Sequence, residues 1–321
     1  MTDKERYKEL CITEPSIPIY SRDWWLDCVC GENNWNMLLY EKNGKIEASM
    51  PYYIPHKGII SMPPYTQSMG IWFNPDVDEK SYASNLYRKQ TISEDFIAKL
   101  PKHRFFLQNF PYTYTDWLPF YWSGFRQTTR YTYILPNIKD TDTLWNYVNK
   151  SIRKNVLKAR EKYGLQVRRG MDTTEFLNLN KKVYQRQKMK PYHLNVLQKL
   201  INESKSRGQG DIWATYDVEG RLHAAVFMVW QESCAYCMAS GSDPELRKSK
   251  GETLLLWDII CELSKQSASF DFEGSMIKGV ENFHREFGAV QMPYFTISKG
   301  SRVWQRLSVK KLCDFFTICS K

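Results

Sequence analysis

Residues 211–239 constrain the fold most tightly. Three apolar runs, 211–217, 222–231 and 234–239, are joined only by Val218-Glu219-Gly220-Arg221 and by Glu232-Ser233. Links this short cannot carry a crossover, so the strands they connect are antiparallel neighbours. The third run leads through Ser240-Gly241-Ser242-Asp243-Pro244-Glu245-Leu246-Arg247-Lys248-Ser249-Lys250-Gly251-Glu252-Thr253 into Leu254, Leu255, Leu256, Trp257, Ile259, Ile260, Cys261 and Leu263. That helix is apolar on nearly all sides, so it is covered on several faces, with the sheet as the expected cover. Next, Phe270-Asp271-Phe272 reads as a strand that stops at Glu273-Gly274. A helix from Met276 or Ile277 ends at Gly288, with Val280, Phe283 and Phe287 on one face, and a last strand spans 290–297.

The segment preceding this block is basic. A helix is expected to begin within 140–149, capped by Thr141 or Thr143, and to continue through 150–163. Its apolar stripe is Ile152, Val156, Ala159 and Tyr163; the other faces carry Lys150, Arg153, Lys154, Lys158, Arg160 and Lys162. Such a face is either solvated or touches phosphates of a large anionic substrate. Gly164 ends the helix, and a strand over 165–169 and helices over 173–190 and 193–205 follow. Before the apolar helix, the basic turn has a second meaning. A helix N-terminus offers free N–H groups and a positive dipole end, and Gly251 permits close approach of a ligand. Arg247, Lys248 and Lys250 add charge for a pyrophosphate; the plainer reading is a basic turn with a glycine.

The first half is a mixed α/β unit without a catalytic signature of its own. Residues 1–20 are polar and then proline-marked, which suggests a lead-in segment. Two strands, 35–39 and 46–53, flank Lys42-Asn43-Gly44-Lys45, a hairpin signal. Pro63-Pro64-Tyr65-Thr66-Gln67-Ser68-Met69-Gly70 is a rigid loop. It reads as a surface crossing, with ligand lining by Tyr65 and Thr66 as the alternative. A helix is expected within 76–100 and a strand at 105–110. The Trp-, Tyr- and Pro-rich run 112–125 packs a core or an interface, or else offers a stacking platform. A strand over 128–135 is broken by Pro136-Asn137, which sets the expected boundaries: an N-terminal domain over 1–135, a donor-binding domain over 136–300 and a basic amphipathic tail over 301–321.

Bulk properties narrow the partners. The chain has 321 residues, 42% of them hydrophobic, enough for two domains with full cores. Its net charge of +10 suits an anionic partner. The N-terminus is charged and without an apolar core segment, and no run approaches a membrane span, so a cytoplasmic chain is expected. In that compartment the eight cysteines are thiols, and neither they nor the five histidines are spaced as metal ligands.

Three stretches carry a resemblance to a known family: SIRKNVLKAREKYGLQV (151–167), SDPELRKSKGETLLLWDII (242–260), and the pair FDFEGS (270–275) and GVENFHREFGA (279–289). The arrangement resembles a GNAT-type acyltransferase domain, and more closely the FemAB-like branch, whose chains carry two GNAT-like domains in tandem. The last pair is similar to that family's strand ending in Asp-Phe-x-Gly, followed by a helix bearing Phe-Lys and a terminal Phe-Gly. The resemblance covers roughly 140–300 well and the first half loosely, through the proline loop ending at Gly70 and the domain order.

The resemblance implies two tandem GNAT-like (acyl-CoA N-acyltransferase) domains of mixed α/β sheets, and transfer of an acyl or aminoacyl group to an amine without a metal. The donor is expected to be an acyl-CoA thioester, held by Arg247, Lys248, Lys250, Gly251, Glu252 and Thr253. The alternatives are an aminoacyl-tRNA-dependent ligase acting on a cell-wall precursor, and a non-catalytic ligand-binding relative. His284 and Asp271 are the expected catalytic residues. The expected contacts to the acceptor amine or an anionic substrate are Tyr65, Thr66, Arg153, Lys154, Lys158, Gly274 and Phe283. The chain departs from the family in two places: Thr253 stands where the phosphate loop ends in a small residue, and His284 follows Phe283 where the family often has lysine. Histidine there stabilises negative charge only if protonated, or moves protons near neutral pH. In the tail, Trp304, Leu307, Leu312, Phe315 and Phe316 alternate with Arg302, Arg306, Lys310 and Lys311, a pattern that packs on the body or touches a membrane surface.

Overall fold

A computed structural model describes residues 1–78, 81–186, 192–274 and 276–300. The expectations for the 301–321 tail, including its membrane contact, therefore lie outside the described residues. The chain divides into two compact units. One is Met1–Arg130 with the end of the last strand from Pro293; the other runs from Tyr131 to Met292.

The first unit opens with a helix, α1 (Asp3–Thr13), where the sequence suggests a lead-in. The reason is a capping box: the Thr2 hydroxyl accepts from the Glu5 N–H while the Glu5 carboxylate accepts from the Thr2 N–H. Helix α2 (Asp23–Cys30) follows, then β1 (Trp35–Lys42) and β2 (Lys45–His56), the expected antiparallel hairpin. β3 (Ile59–Ser61) and β4 (Trp72–Phe73) both pair antiparallel with β2. After α3 (Tyr82–Lys99), β5 (Phe105–Phe110) lies parallel to β3. Helix α4 (Leu118–Trp122) leaves Tyr121 and Trp122 exposed, whereas Tyr114, Phe120 and Phe125 enter the core with Phe106 and Phe110. The proline loop is not a surface crossing, since Pro63 to Gln67 are buried. The N–H of Met69 donates to Asn109 O at 2.8 Å, and Asn109 Nδ2 donates to Gln67 O at 2.9 Å.

The second unit starts within β6 (Arg126–Leu135). Helix α5 (Thr141–Tyr147) is capped by Asp140, whose carboxylate accepts from the Thr143 N–H, and not by a threonine. Aspartate is the stronger acceptor and sits one position earlier. The basic helix is a separate element, α6 (Lys150–Leu157), capped by Asn149 and continued by a π-helical turn, Lys158–Lys162. β7 (Gln166–Arg169), α7 (Thr173–Arg186) and α8 (Leu194–Ser206) lead into the meander β8 (Gly210–Tyr216), β9 (Leu222–Trp230) and β10 (Cys234–Ser242). All three junctions from β7 to β10 are antiparallel.

Helix α9 (Gly251–Leu263) returns across this sheet. Leu254, Leu255, Ile259, Ile260 and Leu263 are completely buried, and each such side chain contributes roughly 1.5–3 kcal/mol. β11 (Ser269–Asp271) is parallel to β10 and antiparallel to β6. Helix α10 (Lys278–Glu286) and β12 (Val290–Gly300) complete the elements. The part of β12 from Phe295 pairs antiparallel with β5, within the first unit.

Candidate functional site

The two parallel strands of the second unit stay together only briefly. Pairing of β10 with β11 ends at Tyr236–Asp271, whereas pairing of β10 with β9 runs on to Ser242–Ala224. A register shift between Cys237 and Ala239 bends β10 just past that point. The carboxyl ends of β10 and β11 therefore part at Asp271, the position in an open α/β sheet where ligands are bound. β10 leads to the basic turn, and β11 to the Asp-Phe-Glu-Gly turn.

At the basic turn, Arg247, Lys248 and Lys250 are exposed, and Gly251 and Thr253 are buried. Lys250 holds a left-handed φ of 64°, which turns the chain into α9. A Cβ on Gly251 would come within 2.9 Å of His223 Cβ, so only glycine lets α9 start this close to β9. Much of the first turn is already occupied. The Gly251 N–H donates to Ser249 Oγ at 3.3 Å, and those of Thr253 and Leu254 both reach Lys250 O. Burial raises the Glu252 carboxyl above its ordinary range, against the opposing charge of Arg247.

Beneath this turn lies a buried relay. Asp217 Oδ2 is 3.0 Å from His223 Nε2, and His223 Nδ1 is 2.7 Å from Ser249 Oγ. The Ser249 hydroxyl also donates to Leu246 O at 2.6 Å. Burial opposes ionisation of Asp217, but hydrogen bonds from His223 and from the backbone and side chain of Arg221 outweigh it and hold the carboxyl well below its usual range. No signal along the chain links these three residues. Asp217 lies just past the end of β8, His223 is the second residue of β9, and Ser249 is one polar residue among many in the turn.

At the second turn, Asp271 accepts from Thr132 Oγ1, and from the Glu273 N–H at 2.7 Å. Burial pushes its carboxyl up to about 6, against the pull of those two hydrogen bonds. Glu273 has a left-handed φ of 60° and Gly274 one of 42°. A Cβ at Gly274 would run into the Tyr131 carbonyl oxygen, so the position requires glycine on both counts. The Glu273 side chain is 5% exposed, and its Oε1 has no hydrogen-bond partner among the described residues. Burial raises its carboxyl well above the ordinary range.

His284 lies on Phe272, with ring centroids 4.8 Å apart and planes 21° apart, and its centroid is 5.8 Å from that of Tyr133. Its Nδ1 is buried without a hydrogen-bond partner among the described residues, and burial drives its pKa down to about 3. The imidazole is therefore neutral across the physiological range. It does not supply the positive charge that a lysine would, nor does it titrate near neutral pH. Phe283 is half-buried and meets Phe287 edge-on at 5.2 Å.

The structure thus places Asp271, Gly274, Phe283 and His284 around one turn and the helix that follows it. Arg153 and Lys154 sit on α6, which packs on α9, and Lys158 opens the π-helical turn that continues it. Lys154 and Lys158 are exposed, and the Lys158 ammonium lies 5.7 Å from the Tyr163 ring. Tyr65 and Thr66 belong to the first unit, where the Thr66 hydroxyl accepts from Trp25 Nε1 at 3.0 Å and donates to Pro64 O at 3.1 Å. Glu273 was passed over as the residue where a strand stops. Among the described residues, no group of His, Cys, Asp and Glu is arranged to hold a metal, and no helix is long and apolar enough to cross a membrane.

Residues 148–285 match the family profile of the acetyltransferase (GNAT) domain. A search of curated protein sequences gave no match. Among solved structures, FemX superposes with a TM-score of 0.66 at 13% identity, covering 92% of this chain and 96% of FemX. The C-terminal domain of a protein described as a lysylphosphatidylglycerol synthetase from Agrobacterium fabrum gives 0.56 at 11% identity, covering 99% and 97%. L-PGS from Bacillus licheniformis gives 0.55 at 12% identity, covering 99% and 98%. At these identities the superpositions speak for the fold, while the profile match names the domain that holds the parting strands, the basic turn and the Asp-Phe-Glu-Gly turn. Residues 148–285 are thus similar to a GNAT acetyltransferase domain, and the chain as a whole shares the fold of FemX.

Proposed function

We propose that this protein is an N-acyltransferase that moves an acyl group from an acyl-CoA thioester to an amine. The observation that carries the reading is the parting of β10 and β11 at Tyr236–Asp271 beside an exposed basic turn. A thioester laid between parting strands can be gripped by backbone groups of β10 while its phosphates meet Arg247, Lys248 and Lys250. Gly251 is where the donor comes closest to the chain, and Glu252 and Thr253 complete the turn. Direct attack of the amine then needs an orienting backbone, a donor for the oxyanion and a route for the amine proton.

The test is release of free CoA thiol from a set of acyl-CoAs and primary amines. Saturable release is expected, with at least a tenfold loss for Gly251→Trp, because an indole there collides with His223 and fills the turn. Absence of both acyl-CoA binding and thiol release would overturn the reading.

A second reading, aminoacyl transfer from a charged tRNA to a cell-wall precursor, is favoured by the exposure of Lys154 and Lys158 and by the fold shared with FemX. The same assay run with aminoacyl-tRNA separates the two. Under this reading, charge reversal at Arg153, Lys154 and Lys158 weakens a strongly salt-dependent tRNA complex, whereas thiol release from acyl-CoA is absent.

A further inference from the structure

Helix α4, in the first unit, turns large apolar side chains outward. Leu118, Tyr121 and Trp122 fall within roughly a 100° arc of the helix. They are 42%, 59% and 57% exposed, while Pro119 and Phe120 fill the buried side. Trp117, half-buried, meets Tyr121 edge-on with centroids 5.4 Å apart and so braces the exposed face. An apolar side chain exposed singly needs no explanation, but several grouped on one face mark an interaction site.

Cations stand beside this face. The Lys299 ammonium donates to the carbonyl of Ser123, the residue after Trp122, at 2.9 Å and lies 4.8 Å from the centre of the Phe125 ring. That bond uses one of its three hydrogens. The N–H groups of Gly124 and Phe125 bond back to Tyr121 O and Phe120 O, both at 2.9 Å, and this tight turn keeps Arg126 next to the helix. The His103 ring also packs near Phe125, with centroids 6.4 Å apart, and Lys102 and Arg104 flank it in the chain. Lys102, Arg104, Arg126 and Lys299 are all exposed. The neighbouring acid, Asp116, already accepts from the Leu118 N–H at 3.1 Å and from Gln90 Nε2 at 2.8 Å. The face is thus apolar with positive charge around it, on a chain whose net charge is +10.

An anionic lipid bilayer matches this composition. Tryptophan and tyrosine settle at the level of the headgroups, an aliphatic side chain enters the acyl boundary, and lysine and arginine meet the phosphates. Two other occupants fit less well. A single-stranded nucleic acid stacks its bases on aromatic faces, but Leu118, in the middle of the arc, has no ring to offer. A second copy of the chain would bring like charges together, and a stable pair buries about 800 Å² on each partner, far more than three side chains supply. We propose that this face of the first unit docks the protein reversibly on an anionic membrane surface. Leu118, Tyr121 and Trp122 enter the boundary between headgroups and acyl chains, and Arg126 and Lys299 pair with lipid phosphates. The surface is separate from the basic turn and the Asp-Phe-Glu-Gly turn of the second unit, and it stands whether or not the acyl-transfer reading does.

The experiment sediments the full chain with vesicles of phosphatidylcholine alone and of phosphatidylcholine with an equal part of phosphatidylglycerol. Binding to the mixed vesicles is expected, falling roughly tenfold or more on pure phosphatidylcholine and weakening as salt is added. The double variants Tyr121→Ala with Trp122→Ala, and Arg126→Glu with Lys299→Glu, are each expected to lose roughly tenfold or more on the mixed vesicles. Circular dichroism and urea melts of each variant confirm that the fold is kept. Lipids brominated along the acyl chain then read depth. They are expected to quench tryptophan emission in the wild type and to quench it less in Trp122→Phe, which keeps an apolar ring and binds nearly as well. No binding of the wild type to mixed vesicles overturns the proposal. Binding undiminished in both double variants also overturns it, since another part of the chain then holds the lipid. Equal quenching in wild type and Trp122→Phe removes this face from the bilayer and overturns it too. Loss of a poly(U) complex, or of a concentration-dependent dimer, in the Tyr121→Ala and Trp122→Ala variant of a protein that ignores vesicles gives the face to nucleic acid or to a second copy instead.

Discussion

Asp271, at the end of β11, and His284, on the helix that follows, respond to pH in opposite directions. The Asp271 carboxyl, raised from 3.8 to about 6, keeps its proton in the folded chain where the unfolded chain has lost it. Its contribution to stability is thus complete below about pH 4 and is lost as pH rises through about 6. A shift of about two units corresponds to roughly 3 kcal/mol. His284, lowered to about 3, refuses a proton that the unfolded chain accepts, so its contribution is lost as pH falls below the ordinary histidine range. Asp271→Asn keeps an acceptor for the Thr132 hydroxyl and the Glu273 N–H but cannot ionise. Between about pH 4 and 7 its stability should fall less than that of the wild type, by up to roughly 3 kcal/mol. Urea melts of both proteins across that range test this, and parallel curves would sink it. The spacing of Asp-Phe-x-Gly and Phe-Gly singles out Asp271, Gly274, Phe283 and His284 in the sequence, and the structure gathers them around one turn and the helix after it. Glu273 was not legible, because a glutamate turns inward here only through a backbone conformation that its own identity does not favour.

The decisive element is the turn between β10 and α9. Its basic residues were visible in the sequence; the clasp beneath it was not, because Asp217, His223 and Ser249 meet only when β8, β9 and the turn are stacked. Ser249 is the hub. Its hydroxyl contacts His223 Nδ1, donates to Leu246 O and accepts from the Gly251 N–H. Ser249→Ala strips a partner from each of three buried or half-buried groups, at a cost of about 1–3 kcal/mol. Amide exchange over 246–251 should speed up locally in that variant, while the amides of β8 and β9 keep their protection. Unchanged exchange in the turn would show that it is held by packing alone. The same contrast explains the helix ends. Apolar periodicity located α6 and a continuous apolar run located α9, but the starts of α5 and α6 are set by Asp140 and Asn149, single side chains that accept from backbone N–H groups. Periodicity carries no information about such caps.

At the scale of the whole chain, the sequence and the structure differ most in where the last strand goes. Sequence order groups 290–297 with the strands just before it, since neighbours along the chain usually become neighbours in space. Instead, Phe295–Phe110, Ile297–Gln108 and Gly300–Phe105 are facing pairs, so the chain ends its described course within the first unit. The sequence identified a strand over 290–297 but not its partner, because a half-buried strand reads the same beside any apolar sheet. Ile297 is fully buried in the cluster that holds Phe106, Phe110 and Phe120. Cutting it to alanine removes a packed side chain from that core and should cost 2–5 kcal/mol, or roughly that range. The loss belongs to the first unit. Amide exchange in β2, β3 and β5 should therefore accelerate in Ile297→Ala, while α9 and β9 keep wild-type protection. Equal acceleration in both units would mean that they unfold as one cooperative body and that the strand is not a local support. Acceleration confined to β8, β9 and β10 would return it to the grouping that sequence order suggests.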